Sequence, residues 1–303
     1  MGPRMDIVLG VDTLSYHCRL ATGEISLEDV LREIAELGYS FVQFNAVHVR
    51  DRDEAGLEAL RGLAGELGLD ITLSGDVVGR VGNGDTVEGG VERIRGWVAL
   101  AETIGSPFAR VSSGFYRAEL FSQPGLIAAE QRYVTETLRR AADEVPGDVQ
   151  ILLENHSDFT ADEYAEIIDG VGSDRIGVFL DLINPISSLQ DPLPVITRLA
   201  PLAPSGHVKD FRLVSRYVED RFHRRGFDVQ WCYPGEGVAD LASLVGVLVG
   251  SAGRAEPYRL SVEGLDNHPG VADQRERLAA SLAFLQKLIT DAPAAAAPSK
   301  ETR

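Results

Sequence analysis

Four short stretches of the sequence end in side chains able to hold a metal ion: ILLENH (151–156), GVFLD (177–181), GHVKD (206–210) and LSVEG (261–265). Each is an apolar run that closes on an acid or an imidazole, at Glu154, Asp181, His207 and Glu263. Three carboxylates and one imidazole make a hard, oxygen-rich donor set. Such a set suits Mn2+ best, or Mg2+ or Co2+, and not a thiolate-bound structural zinc. Taken singly, an acid at a strand end is a helix cap or an ion-pair partner, and a histidine is a hydrogen-bonding residue. At the ends of consecutive core strands they point to one shared divalent ion. Burying several carboxylates together without a cation would cost several kcal/mol per charge. One ligand per strand leaves open positions on the ion for a substrate.

The elements that would position them follow from the apolar pattern. Runs at 7–11, 40–45, 70–74, 108–111, 150–154, 176–181, 206–210 and 258–263 read as strands. Helical spacing falls between them, at 27–37, 54–67, 91–104, 126–142, 161–170, 193–199, 239–249 and 272–289. Ser26 caps the first helix and Gly38 stops it; Thr160 with Glu163 forms a capping box, and Gly170 ends that helix. The strands are apolar on both faces and never reverse into hairpins, as parallel strands covered by helices require. This alternation predicts an α/β fold with a single (β/α)8 TIM barrel over residues 5–290 and a disordered tail over 291–303. A doubly wound open sheet is the competitor. It would carry a Gly-rich phosphate turn after the first strand, where VDTLSYH stands instead. In such barrels the active site lies at the C-terminal strand ends, where all four candidate ligands fall.

Composition narrows the partners. The net charge of −17 disfavours nucleic acid and anionic membranes, so neither is an expected partner. No stretch has the apolar length of a bilayer span, and MGPRMDIVLGVD lacks the apolar core of a signal peptide. Cys18 and Cys232 read as reduced thiols of a cytoplasmic protein.

LLENHSDFT, GVFLDLINP, HVKDFR and PGEGVAD followed by LSVEG resemble, in order and spacing, the strand-end signatures of the xylose isomerase-like barrel superfamily of sugar phosphate isomerases and epimerases. The resemblance implies that Glu154, Asp181, His207 and Glu263 are the metal ligands. It also implies that Glu154 and Glu263 move protons on opposite faces of a keto-sugar, through an enediolate. Lys209 and His156 complete the candidate catalytic set. Each lies two residues beyond a ligand, on the same side if its strand continues. Lys209 is an acid–base group or an ion-pair partner of the acids, and His156 reads as a residue that orients a ligand. Asn184 stands three residues after Asp181, where some epimerases carry a histidine. Arg212 is adjacent to the position where some carry a substrate-binding arginine. Tyr16, His17, Asn45 and Ser112 are placed to line a polar pocket or to lie on the surface. Glu236 either binds a sugar hydroxyl or fixes its loop. The segment 212–237, with Phe222, His223, Trp231 and Tyr233, reads as a long loop that forms a lid or a subunit contact.

The expected function is therefore divalent-metal-dependent isomerisation or epimerisation of a small-molecule sugar or sugar-derived substrate. The alternative is a lyase with the same enolising site, either an inosose-type dehydratase or an enzyme cleaving oxidised C-glycosides. The latter would pair the barrel with a small β-rich partner; otherwise a homo-oligomer is the possible assembly. Two further readings are an abasic-site endonuclease, which needs more histidine ligands and a basic face, and a non-catalytic binding protein, which would have lost its ligands.

Overall fold

Short apolar strands pair with one another into the barrel, and helices cover their outer faces. In the computed structural model, residues 4–79, 86–218, 221–251, 256–265 and 273–292 are described, with backbone only at 217–218 and 221–225. In chain order the elements are β1 (Ile7–Asp12), α1 (His17–Ala21), α2 (Leu27–Leu37), β2 (Phe41–Asn45), α3 (Ala46–Val49), α4 (Glu54–Glu66), β3 (Asp70–Val77), α5 (Val87–Ile104), β4 (Phe108–Ser112) and α6 (Pro124–Glu144). There follow β5 (Gln150–Glu154), α7 (Ala161–Val171), β6 (Ile176–Phe179), α8 (Pro192–Leu199), β7 (Ser205–Val208), β8 (Asp210–Val218), β9 (Arg221–Cys232), α9 (Leu241–Gly250), β10 (Tyr258–Val262) and α10 (Gln274–Asp291). Strands β1 to β7 and β10 close into an eight-stranded parallel barrel, with β10 between β7 and β1. This is a single (β/α)8 barrel.

Period-two alternation sorts each strand into an outward row, packed under helices, and an inward row. The inward row grades from apolar to polar along the barrel axis. Phe108, Leu152 and Phe179 form a separate buried cluster that fills the N-terminal half. Gly10 belongs to the same layer: a side chain there would overlap the Phe41 ring. Two residues further along each strand stand Asp12, Gln43, Arg110 and Glu154, and Asp181 lies just past the end of β6. Between β6 and β7 the backbones come close, because a Cβ at Gly206 would meet the Leu180 carbonyl and the Tyr258 hydroxyl.

The helix signals hold, with local differences. Ser26 accepts from the Asp29 N–H at 3.1 Å, and Gly38 closes α2 at φ +89°. Thr160 and Glu163 form the reciprocal capping box of α7. That helix ends at Gly172, with φ +65°, and not at Gly170. Gly170 stays helical and lets Thr135 of α6 approach. Helix α5 starts four residues before the predicted position, because Thr86 caps it.

One expectation is overturned. The segment after β7 is not a loop but an antiparallel hairpin, β8–β9, pairing Phe211 with Trp231 and Leu213 with Val229. Its polar and apolar residues alternate, as in a ribbon with one face to solvent, whereas the barrel strands were recognised as runs apolar on both faces. Asp210 anchors its base by accepting from the N–H groups of Gly237 and Ala239, each at 3.0 Å. Part of the Gly-rich loop before α5 and the tail from 293 lie outside the described residues. No helix among the described residues is long and apolar enough to cross a membrane.

Candidate metal centre

His207 is the hub. It is fully buried on β7, its ring set edge-on against Phe179 with centroids 4.6 Å apart. Its Nε2 faces Asp12 Oδ2 at 3.2 Å. Its Nδ1 is buried without a hydrogen-bond partner. Around that nitrogen stand Glu154 Oε1 at 3.5 Å, Glu263 Oε1 at 3.6 Å and Asp181 Oδ2 at 3.8 Å. The chain thus brings all four sequence-derived ligand candidates to one point.

Each donor is held by its own element. Asp181 lies just past β6, and its Oδ1 accepts from the N–H groups of Ile183 and Asn184, each at 2.8 Å. That turn leaves Oδ2 for the centre. Asn155 brackets the Asp181 backbone, accepting its N–H at 2.6 Å and donating to its carbonyl at 2.9 Å. Asn184 donates to Glu154 Oε1 at 3.3 Å. Glu154 also pairs with Arg110 of β4. Lys209 bridges Asp181 and Glu263, with Nζ 2.6 Å from Glu263 Oε2.

Electrostatics gives the cluster its meaning. Burial alone would lower the Lys209 pKa, but the Asp181 and Glu263 carboxylates outweigh it and hold it above its ordinary value. Burial alone would raise Glu263; the Lys209 ammonium reverses that and holds it well below the usual carboxylate range. Asp12, Glu154, Asp181 and Glu263 are all buried, and only Lys209 and Arg110 offset them in these contacts. With the imidazole counted as neutral, two negative charges stay unmatched, which one divalent cation offsets. An orphaned nitrogen ringed by carboxylate oxygens is a donor set that fits such an ion. Asp12, His207 and Glu263 form one compact group of potential ligands, and Glu154, Asp181 and His207 another.

The remaining candidate residues make other contacts. Tyr16 is fully buried and donates to Glu33 of α2 at 3.1 Å. Asn45 caps α3 by accepting from the Val47 N–H. Arg212 and Glu236 pair at 2.6 Å at the hairpin base, where Arg277 also grips Glu236 at 2.5 Å. Glu236 therefore fixes its loop. Strand β5 stops at Glu154, so His156 lies in the loop beyond it, within electrostatic reach of Arg110, Lys209 and Glu263. Its ring stands edge-to-face with Tyr116, and burial lowers its pKa. Asn155 performs the orienting role expected of His156. His17 meets His48, Nδ1 to Nε2 at 3.1 Å, beside a separate cavity of about 490 Å3. Ser112 is buried at the end of β4, and its carbonyl accepts from Val78. Trp231 lies over Lys209, with Nζ 5.3 Å from its ring centroid, whereas Tyr233 is core under Arg277. The side chains of Phe222 and His223 lie outside the described residues.

Three residues were missed. Asp12 ends IVLGVD as Asp181 ends GVFLD, so the same signal was present. Arg110 is a charge inside the apolar run FARVS, in phase with Phe108. Asn155 carried no signal, because its partner is the backbone of a different strand.

The fold is a closed parallel α/β barrel with an acid-rich, histidine-centred cluster at its C-terminal mouth that could hold a metal ion. The profile of the xylose isomerase-like TIM barrel family matches residues 31–288, and the chain belongs to that family. Among curated proteins none matches the sequence. Solved structures share the fold at low identity. An L-ribulose 3-epimerase aligns with a TM-score of 0.70 at 18% identity, covering 96% of both chains. The probable 3-DHS dehydratase AsbF from Bacillus anthracis aligns with a TM-score of 0.67 at 18% identity, over 92% of this chain and 98% of its own. The IolI protein with a bound zinc atom aligns with a TM-score of 0.67 at 15% identity, over 94% and 99%.

Proposed function

We propose that this protein is a divalent-metal-dependent isomerase or epimerase of a keto-sugar. Glu154, Asp181, His207 and Glu263 would hold the ion and Asp12 would orient the imidazole. The observation that carries the reading is the unpartnered His207 Nδ1, facing three carboxylate oxygens at 3.5–3.8 Å. Bound there, a divalent ion polarises a carbonyl and offsets the negative charge that develops when the adjacent C–H is deprotonated.

The chain's own residues supply the proton transfers. Glu154 and Glu263 come from strands three places apart around the barrel, so they approach a substrate from different directions. One removes the proton and the other returns it. The Lys209 ammonium holds Glu263 in its carboxylate form, with a lone pair free to accept a proton. Arg110 pairs with Glu154 and would offer a donor to a substrate oxygen. Trp231 walls the site beside Lys209 and limits water. The fold shared with a probable dehydratase supports a second reading, in which the same proton abstraction is followed by loss of a β-substituent.

Solvent deuterium exchange into a panel of keto-sugars, followed by product analysis, tests both. We expect exchange from metal-loaded wild type and none from Glu154→Gln or Glu263→Gln. Near-normal turnover in both variants would sink the assignment.

A further inference from the structure

The inner wall of the barrel that faces the candidate metal ligands carries polar groups with nothing to bond to. Cα pairing carries the inward phase from Asp12 to Gln43 and Thr72, and from Asn45 through Ser74 to Arg110. Gln43 and Ser261 meet inside the barrel: the Ser261 hydroxyl donates to Gln43 Oε1, although β1 stands between their strands. Gln43, Thr72 and Ser74 are buried, at 1% exposure or less. Gln43 Nε2, Thr72 Oγ1, Ser74 Oγ and Arg110 Nε have no hydrogen-bond partner among the described residues. Around the ring of eight strands, β3 stands four places from β7, and β2 four places from β6. These groups therefore lie across the barrel from His207 and Asp181. Apolar residues fill the interior elsewhere, at Phe108, Leu152 and Phe179. A buried polar atom left unpaired costs stability, so a group of them on one wall calls for a reason.

On the keto-sugar reading, which this step depends on, we propose that Gln43, Thr72, Ser74 and Arg110 form the subsite for the hydroxylated end of an uncharged, unphosphorylated sugar chain. The carbonyl end of that chain then faces His207 and Asp181. Hydrogen-bond chemistry selects the class. Gln43 Nε2 and Arg110 Nε only donate, whereas the Thr72 and Ser74 hydroxyls both donate and accept. Sugar hydroxyls also do both, so successive ones can satisfy all four atoms. A phosphate or carboxylate only accepts and needs unpaired cations beside it. Of these four residues only Arg110 is charged, and it already pairs with Glu154. An apolar tail would leave every one of the four atoms unpaired, and a site built to bond hydroxyls rejects such an analogue strongly for that reason. Threonine and serine are also short, so this wall reaches less far toward the barrel axis than a phenylalanine in the same row would.

Ribitol, a five-carbon polyol without a carbonyl, cannot be enolised, so its binding is read without turnover. The full chain loaded with Mn2+ is titrated with ribitol, and the metal-free chain is melted, for wild type, Thr72→Val, Thr72→Ser and Ser74→Ala. Thr72→Val and Ser74→Ala are each expected to weaken ribitol binding about tenfold while Mn2+ affinity stays within about twofold. Both are expected to melt about 1–3 °C above wild type, because each removes an orphaned polar atom. Thr72→Ser keeps the hydroxyl and is expected to bind ribitol as wild type does. Ribitol 5-phosphate is expected to bind no more tightly than ribitol. Unchanged ribitol affinity in Thr72→Val and Ser74→Ala overturns the proposal, and so does a lower melting temperature in both, the sign of hydroxyls bridged by structural water. Tighter binding of the phosphate, or no ribitol binding by wild type, overturns it too. The two readings fail separately. If no keto-sugar exchanges deuterium but ribitol binding follows this pattern, the enolising function falls and the subsite stands; exchange with ribitol affinity indifferent to the substitutions does the reverse.

Discussion

Substituting Asp12 by Asn tests the electrostatic logic of the centre with the least change of shape. Asp12 touches no substrate position. It faces His207 Nε2 at 3.2 Å, and its Oδ1 accepts from the Leu14 N–H at 2.6 Å. An Asn keeps that second contact and removes the charge behind the imidazole. A carboxylate in this position fixes the ring and raises its basicity, and its loss typically weakens metal affinity about 10–100-fold. At a metal concentration of about 100 times the dissociation constant, wild type gains about 2.7 kcal/mol. For 303 residues the unfolding entropy is about 640 cal/mol/K, so that gain raises the melting temperature by about 4 °C. Asp12→Asn is expected to lose about 1.3–2.3 kcal/mol of it, or about 2–3.5 °C, at the same metal concentration. Thermal melts with and without Mn2+ or Mg2+, paired with calorimetric titration, read both quantities. A variant that keeps the full metal-induced shift and unchanged affinity would refute the placement of the ion at His207 Nδ1.

Two further outcomes follow from other contacts. Lys209→Met removes the cation between Asp181 and Glu263, both buried, and is expected to cost the metal-free protein about 3–5 kcal/mol in denaturant unfolding. Saturating divalent metal should recover much of that loss; equal destabilisation with and without metal would count against a shared cation. Burial lowers the His48 pKa from 6.5 to about 4, outweighing the pull of Asp12. Its contribution to stability is therefore complete above pH 6.5 and falls as the pH drops toward 4, because only the unfolded chain takes up the proton there. His48→Gln should remove about 1–2 kcal/mol of that acid sensitivity, allowing for the solvent that reaches the ring. Parallel urea titrations of the two proteins across that range would show identical slopes if the reasoning is wrong.

By itself the sequence determined the barrel and the four ends that meet. Strand runs apolar on both faces fit only a parallel sheet under helices, and an acid or imidazole closing such a run must lie at the C-terminal mouth. Capping signals at Ser26 and Thr160 are local, and so were readable. The tertiary structure alone decided what period two and one-dimensional spacing do not encode. Strand β5 stops at Glu154, which leaves His156 in the loop beyond it. Asn155 reaches the backbone of β6, and Arg110 meets Glu154 from a neighbouring strand. Arg212 and Glu236 satisfy each other and Arg277, which removes both from the pocket. A side chain's type sets what it can bond to; which partner comes within reach depends on how the strands are brought side by side, and that is fixed only when the barrel closes.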